Sequence, residues 1–593
     1  MTILRFTYIV PYGRQLLSGR KRVLGTERNL SNSVASSRFD FPHELAENSR
    51  KGVVMRNLTV RQWVALPAML VAFGACSSGE IATEGQEDDL TSLTARARTL
   101  KFEGYVYVEK SAQDWSILNS VRKQTQSAFG ALRTSDVGVN DRELATVDPA
   151  SFVKTTVKVV DPSNPSASKE MVKVKYTYTA TSVVPKSMST RSTLSLAVLT
   201  SGYSSQTSRI LKECTANDKE AKEFQESIWY VFDPSLSQCK TAMKAEQARI
   251  DADRARLGSV ENAVPQSEVS RLYLPLTMGF SNAATNRGTT YPEYDRLYAG
   301  GVQSGKLVIG MVNGLMADWA AGEKHDTIDD SGYKMWFQGL RAIFKARPGL
   351  KYVKADPSID IGSYTVGTVK VTGATFDDLL KWELDGTGFP TGITSANSRA
   401  LRVLVAERLV RHWITFEAPV SVKVGSAAAK KVTIQLNSYF GASTDDTPHK
   451  RGIKNSDLFV YNGHSYIGYG PLDPSNFSSR DFPSSYQVLN LNGCVSYNYY
   501  DADYYALKPG GTANLETVTN GLESYVYGSG EAMGRYVGAF IDGKQNSYTS
   551  ILKATQFTDF GYDWGMDALR VVEGEIDNKY KPTTTPIVVS SVP

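Results

Sequence analysis

Chemically active residue types are scarce in this sequence: four cysteines and five histidines among 593 residues. No C-x-x-C pair occurs and the histidines do not gather near the cysteines, which argues against a structural zinc site or any other metal site. There is no Walker-type loop, no G-x-G-x-x-G and no H-E-x-x-H, so no cofactor is implied. Charge of one sign is missing too. The net charge is +5 and the basic residues are dispersed, which leaves no electrostatic footprint for nucleic acid. With 41% hydrophobic and 21% charged residues the chain is globular rather than disordered, and its length implies two or three domains.

The amino end reads as a targeting segment. From Met55 the chain has a basic start (Arg56, Arg61), an apolar run from Trp63 to Phe73, and small residues before Cys76. The run is shorter than the ~20 apolar residues that cross a bilayer, which favours a secretory signal peptide over a transmembrane anchor. The ending Phe73-Gly74-Ala75-Cys76 resembles a bacterial lipobox, with Phe73 where leucine is usual. That resemblance implies lipidation at Cys76, and Ser77 after it implies sorting to the outer membrane or cell surface. Residues 1–54 then read as a leader ahead of the true start at Met55, or as a disordered one. Residues 76–98 are small, acidic and unpatterned at their start, as in a flexible tether.

Residues 99–300 predict a small α+β domain. Leu100 to Val108 alternates like a strand, and Ala112 to Leu132 reads as one helix with Trp115, Leu118, Val121 and Ala128 near one face. Phe152–Val160 and Met171–Ala180 predict an antiparallel hairpin with a long loop between them, and Thr193–Thr200 a further strand. Cys214 and Cys239, 25 positions apart (239 − 214), predict a disulfide in an exported chain. Lys240–Leu257 is a charged, solvated helix, and Glu261–Leu297 reads as a loop-rich join.

Residues 301–593 predict an α/β domain, a mostly parallel sheet flanked by helices. Leu307–Val312 is a continuous apolar run, as in a strand buried on both faces. Helices are expected at Tyr333–Ala346, at Ser395–Phe416 and near Leu522–Phe540, and strands at Val432–Phe440 and Leu515–Thr519. Two further apolar runs, Leu458–Tyr461 and Val488–Leu491, each end in Asn-Gly. Asn462-Gly463 delivers His464, and Asn492-Gly493 delivers Cys494.

Cysteine arithmetic singles out Cys494. With Cys76 lipidated and Cys214 paired to Cys239, it is left over, and a leftover cysteine in an exported protein suggests a reactive thiol. An adjacent imidazole makes thiolate available at neutral pH. His464 and Cys494, 30 positions apart (494 − 464), can meet if their strands are neighbours about 4.8 Å apart. His449 has no apolar strand behind it and is the weaker histidine candidate.

A hydrophobic strand ending in His, followed by one ending in Cys, resembles the caspase–gingipain–legumain group of clan CD cysteine peptidases. The resemblance covers roughly residues 300–593 as topology, and only YNGHS and LNGC as motif. It implies a caspase-like fold and a cysteine endopeptidase of peptide or protein substrates. In it His464 is base or proton donor, Cys494 the nucleophile, and the backbone N–H groups of Ser465 and Cys494 the oxyanion donors. Ser465 departs from the glycine usual after the catalytic histidine. Asp501 or Asp503 could face a basic substrate side chain, and Tyr497, Tyr499, Tyr500, Tyr504 and Tyr505 line a groove or pack a surface loop. The rival reading is a non-catalytic envelope lipoprotein that binds protein or glycan. A glycan hydrolase would need two paired carboxylates, and nothing pairs them here.

Overall fold

Alternation of apolar and polar residues builds the first of two large sheets. The structure, a computed structural model, describes residues 90–592 apart from 142–143, 145–146, 283–288, 317–325, 501, 560–561 and 566–567. The expected leader, signal peptide, lipidated Cys76 and most of the tether lie outside the described residues. The tether's last part is already packed: Leu90 is buried and the first strand, β1 (Ala95–Glu109), begins inside it.

Strand β1 is followed by β2 (Gly138–Val139), β3 (Val153–Asp161), β4 (Asn164–Pro185), β5 (Thr193–Leu199), β6 (Ala263–Pro265) and β7 (Tyr273–Asn282). They form one sheet in the order β5-β7-β1-β4-β3-β6, with β2 on β4. Three expectations change here. The long hairpin loop does not exist: β3 and β4 pair down to Asp161 opposite Asn164, so most of its residues are strand. The expected join contains β7, which pairs with both β1 and β5. The single helix breaks into Asp114–Gln126 and Ala128–Arg133, because the Ser127 hydroxyl donates to Gln124 O and accepts from Leu199 N. Trp115 is 68% exposed, off the buried face. The Cys214–Cys239 disulfide is formed, tying the end of the Thr207–Glu213 helix to the start of the Ser237–Leu257 helix.

The second sheet comprises β8 (Lys306–Gly314) and β9 (Lys351–Asp356), then, beyond a small hairpin of β10 (Tyr364–Val366) and β11 (Val369–Val371), β12 (Trp413–Val424), β13 (Lys430–Ala442), β14 (Leu458–Asn462), β15 (Gln487–Asn492) and β16 (Leu515–Asn520). After a second hairpin of β17 (Phe557–Asp559) and β18 (Tyr562–Trp564), the sheet is completed by β19 (Arg570–Glu573) and β20 (Ile587–Ser591). Its order is β19-β16-β15-β14-β8-β13-β12-β20, with β9 on β12.

This is mixed α/β architecture rather than a mostly parallel sheet. The inner strands β13, β8, β14, β15 and β16 are parallel, and the pairings at both flanks are antiparallel. The β12–β13 link, residues 425–429, is too short for a crossover and forces an antiparallel hairpin. The helix expected over Ser395–Phe416 stops at Leu409, because Arg411 turns left-handed (φ 59) and its N–H goes to Phe440 O. Trp413, Ile414, Thr415 and Phe416 are strand formers and begin β12. The helix expected near Leu522 starts only at Ser529 and runs to Ile541.

Strands β8, β14 and β15 are buried on both faces, which explains their apolar runs. One face, with Met311, Val460, Val488 and Val518, shares a core with Trp336 and Leu340 of the Ser331–Ala346 helix and Met533 and Val537 of the Ser529–Ile541 helix. The opposite face, with Val312, Phe459, Tyr461, Leu489 and Leu491, shares a core with Phe129, Tyr230 and Tyr178 of the first sheet's layer. Both sheets belong to one compact unit.

Candidate active site

Four adjacent parallel strands reach their carboxyl ends at the same dipeptide: Asn313-Gly314, Asn462-Gly463, Asn492-Gly493 and Asn520-Gly521. Strand register sets Asn313 opposite Asn462 and Asn462 opposite Asn492. Their side chains join in a row. Asn462 Nδ2 donates to Asn313 Oδ1 (3.4 Å), Asn492 Nδ2 to Asn462 Oδ1 (2.9 Å), and Asn520 Nδ2 to Asn492 Oδ1 (2.9 Å). Ser529 Oγ bridges Asn462 and Asn492, and Arg570 donates to Asn492 and Asn520. All four asparagines are at most 2% exposed. A carboxamide carries both donors and an acceptor, so the row satisfies most of its own polar atoms where strand pairing runs out, the buried Asn313 amide nitrogen excepted. The sequence signal for this row was present in full, since Asn313-Gly314 and Asn520-Gly521 repeat the two dipeptides already singled out.

The row supports two turns. After β14 the chain passes Gly463, His464 and Ser465, then Tyr466 and Ile467, both left-handed (φ 52 and 53). After β15 it passes Gly493 and Cys494, then Val495, also left-handed (φ 53). A β-branched residue in that region is strained, and such strain concentrates at functional sites. The turns touch: a Cβ added at Gly493 would lie 3.1 Å from Ser465 Cβ and 3.4 Å from Gly463 O. Buried tyrosines hold the histidine turn, Tyr461 OH donating to His464 O (2.9 Å) and Tyr500 OH to Ser465 O (3.0 Å). Among the described residues, no acceptor takes the backbone N–H of Ser465 or of Cys494. Both follow directly on the carboxyl ends of β14 and β15, beside the switch point between β8 and β14, where open α/β sheets place their ligands.

Both candidate side chains are half-buried. The His464 ring nitrogen Nε2 lies 3.4 Å from Met316 O. A carbonyl only accepts, so Nε2 carries the hydrogen and Nδ1 the lone pair. Burial holds this imidazole down at about 4, so it is neutral at pH 7. The Cys494 thiol sits 3.9 Å from Ser524 O and 3.7 Å from Ser524 Oγ. Burial pushes its pKa up and the Glu523 carboxylate pushes it further, while Ser524 and Arg133 act in the opposite direction. The resting pair is therefore thiol and neutral imidazole rather than the thiolate that an adjacent base was expected to supply.

The remaining candidates fall elsewhere. Asp501 and Cys76 lie outside the described residues, and Asp503 stands exposed on the short Ala502–Leu507 helix. Tyr497, Tyr499, Tyr500 and Tyr504 are core residues rather than groove lining: Tyr499 stacks on Phe129 and Tyr500 on Tyr504, Tyr504 meets Phe477 and Phe482 edge-on, and Tyr497 packs with Leu522 and Leu569. His449 is fully buried under Tyr461, with Nδ1 3.1 Å from Asp445 O. Sequence reasoning missed Glu523 and Arg133, whose side chains form an ion pair next to Ser524. Among the described residues, no group of three or more His, Cys, Asp or Glu side chains is placed to hold a metal ion, and no helix is long and apolar enough to cross a membrane. No family model, no curated protein and no solved structure matches the chain.

Proposed function

We propose that this chain is a lipid-anchored protein of the bacterial surface that hydrolyses peptide bonds in peptide or protein substrates, with Cys494 as nucleophile and His464 as base. The observation that carries the reading is the contact between two turns at matched carboxyl ends of neighbouring parallel strands, one bearing each residue. The resemblance to clan CD peptidases in YNGHS and LNGC agrees with it. The anchor rests on the signal segment before Cys76 alone.

In this reading substrate binding excludes water and brings the thiol to His464 Nδ1. Proton transfer to the imidazole accompanies attack of sulfur on the carbonyl carbon, and the oxyanion takes the N–H groups of Ser465 and Cys494. The C–N bond then breaks, His464 returns the proton to the leaving amine, and water hydrolyses the thioester. A neutral resting pair suits proton transfer within a bound complex, because charge appears only when substrate is present to offset it. The raised thiol pKa equally favours the second reading, a non-catalytic lipoprotein that binds protein or glycan.

Hydrolysis of a peptide library by the purified protein, with Cys494→Ala and His464→Ala beside it, decides between them. The peptidase reading expects each variant to lose about 10³-fold or more. Hydrolysis that survives Cys494→Ala unchanged would sink it.

A further inference from the structure

We propose that Glu523 anchors a pocket beside Cys494 for a guanidinium or ammonium side chain, and that Arg133 of the first layer occupies it in the resting chain. As a statement about substrate, this rests on the peptidase reading, and it names the class: chains with a basic residue at the site.

Three observations converge on it. Glu523 adjoins Ser524, whose carbonyl and hydroxyl contact the Cys494 thiol, and its carboxylate is near enough to act electrostatically on that thiol. That carboxylate is 3% exposed and receives the Arg133 guanidinium, whose own side chain is 13% exposed. The guanidinium comes from 390 positions away in sequence and also lies 4.6 Å above the Tyr230 ring. Both charges are felt at Cys494. The segment that brings Arg133 continues along the site: Asn498 donates to Val139 O, and Gly138 lies against Gly521 O. A stretch of the protein's own chain thus crosses the turns after β15 and β16, with its basic side chain lodged against the acid next to the candidate nucleophile.

A buried carboxylate is stable only while a cation faces it, so this site selects for positive charge whether the cation is Arg133 or a ligand. The planar fork of arginine suits a buried carboxylate better than the compact ammonium of lysine, which sets an order of preference. In this proposal Glu523 would take the role that the sequence reading gave to Asp501 or Asp503. A substrate must displace Arg133, so the resting chain is self-blocked.

The test reads Cys494 labelling in the full chain with three methanethiosulfonates of equal size, carrying an ammonium, a neutral and a sulfonate head, followed by mass. Ratios between reagents cancel any change in thiolate fraction. Arg133→Ala is expected to raise the ammonium-to-neutral ratio by about tenfold, as removal of a blocking cation from a charge-selective site does. Glu523→Gln added to Arg133→Ala is expected to abolish that gain. Ethylguanidinium is expected to protect Cys494 in Arg133→Ala and not in the double variant. Arg133→Gln, which keeps most of the volume, is measured alongside with thermal melting, so a poorly folding alanine variant does not decide the matter.

An equal change for all three reagents, or no protection by ethylguanidinium in either single variant, overturns the pocket and leaves the ion pair as a lock between layers. Peptides with Arg or Lys before the cleaved bond, against Asp or Ala, supply the second arm. Cation-selective labelling without hydrolysis would overturn the peptidase reading and leave the pocket standing. Hydrolysis indifferent to a basic residue would overturn the pocket and leave the peptidase standing.

Discussion

Asn492 and Asn462 face one another at the matched ends of two parallel strands, and the Asn492 amide donates to the Asn462 side-chain oxygen at 2.9 Å. Their bond is the middle of a row that runs from Asn313 to Asn520 and ends on Arg570. The ladder between β14 and β15 ends here with one further backbone bond, Gly463 N to Asn492 O, so the row acts together with the Tyr461 and Tyr500 hydroxyls in holding the histidine turn beside the cysteine turn.

Asn492→Ala should therefore act on both stability and site geometry. It takes one hydrogen bond each from the Asn462 oxygen, the Asn520 amide and Arg570, which keep Ser529, Gly493 O and Asn520 as partners, so each lost bond costs about 0.5–1.5 kcal/mol. Chemical denaturation of variant and wild type measures the loss. Asn492→Ala should also change the alkylation rate of Cys494, two residues on. A variant as stable as wild type would show that the row is incidental.

The thiol offers a second prediction. Burial and the Glu523 carboxylate both raise the Cys494 pKa, so the apparent value in wild type should lie above the ~8.5 of a free thiol. Glu523→Gln removes one of those causes and leaves the Arg133 cation in place. The pH profile of iodoacetamide labelling should move to lower pH and the rate at pH 7 should rise. A profile that stays in place or moves up would remove Glu523 from the surroundings of the thiol.

His449 supplies a third, in pH dependence. Burial pushes its imidazole down to about 4, against about 6.5 for an exposed histidine. In the window between those values the unfolded chain takes up the proton and the folded chain does not. The contribution of His449 to stability is thus complete above pH 6.5 and is lost as pH falls toward 4. Asp457, raised by burial to about 6, works in the opposite direction over part of that range, so the test is a difference between proteins rather than one curve. Comparing wild type with His449→Gln by denaturant unfolding, the variant should lack up to about 1.4 kcal/mol of stability change per pH unit in the window. Parallel curves would contradict the assignment.

Local pattern determined much of this protein. Apolar runs closed by Asn-Gly marked β14 and β15, because a strand buried on both faces needs unbroken apolar residues and its exit needs a turn. The same logic marked β8, alternation marked β13, and the expectation of an exported chain marked the pairing of Cys214 with Cys239. The Ser331–Ala346 helix was legible from its period and from Pro348 beyond its end.

Elements whose state depends on remote partners were not legible. Trp413 to Phe416 continue a helical pattern on paper and become strand because β9 and β13 pair with them. Strand β7 contains Pro275 and lies in a segment that resembles a linker, yet two neighbours complete it. Sequence by itself determined which strands are buried and which two turns carry His464 and Cys494, since burial and turn chemistry are written in adjacent residues. Only the tertiary structure decided that four asparagines form one row, that burial lowers the pKa of His464 and raises that of Cys494, and that Arg133 meets Glu523. Those facts depend on burial and charge brought together across as many as 390 positions, which no local pattern encodes.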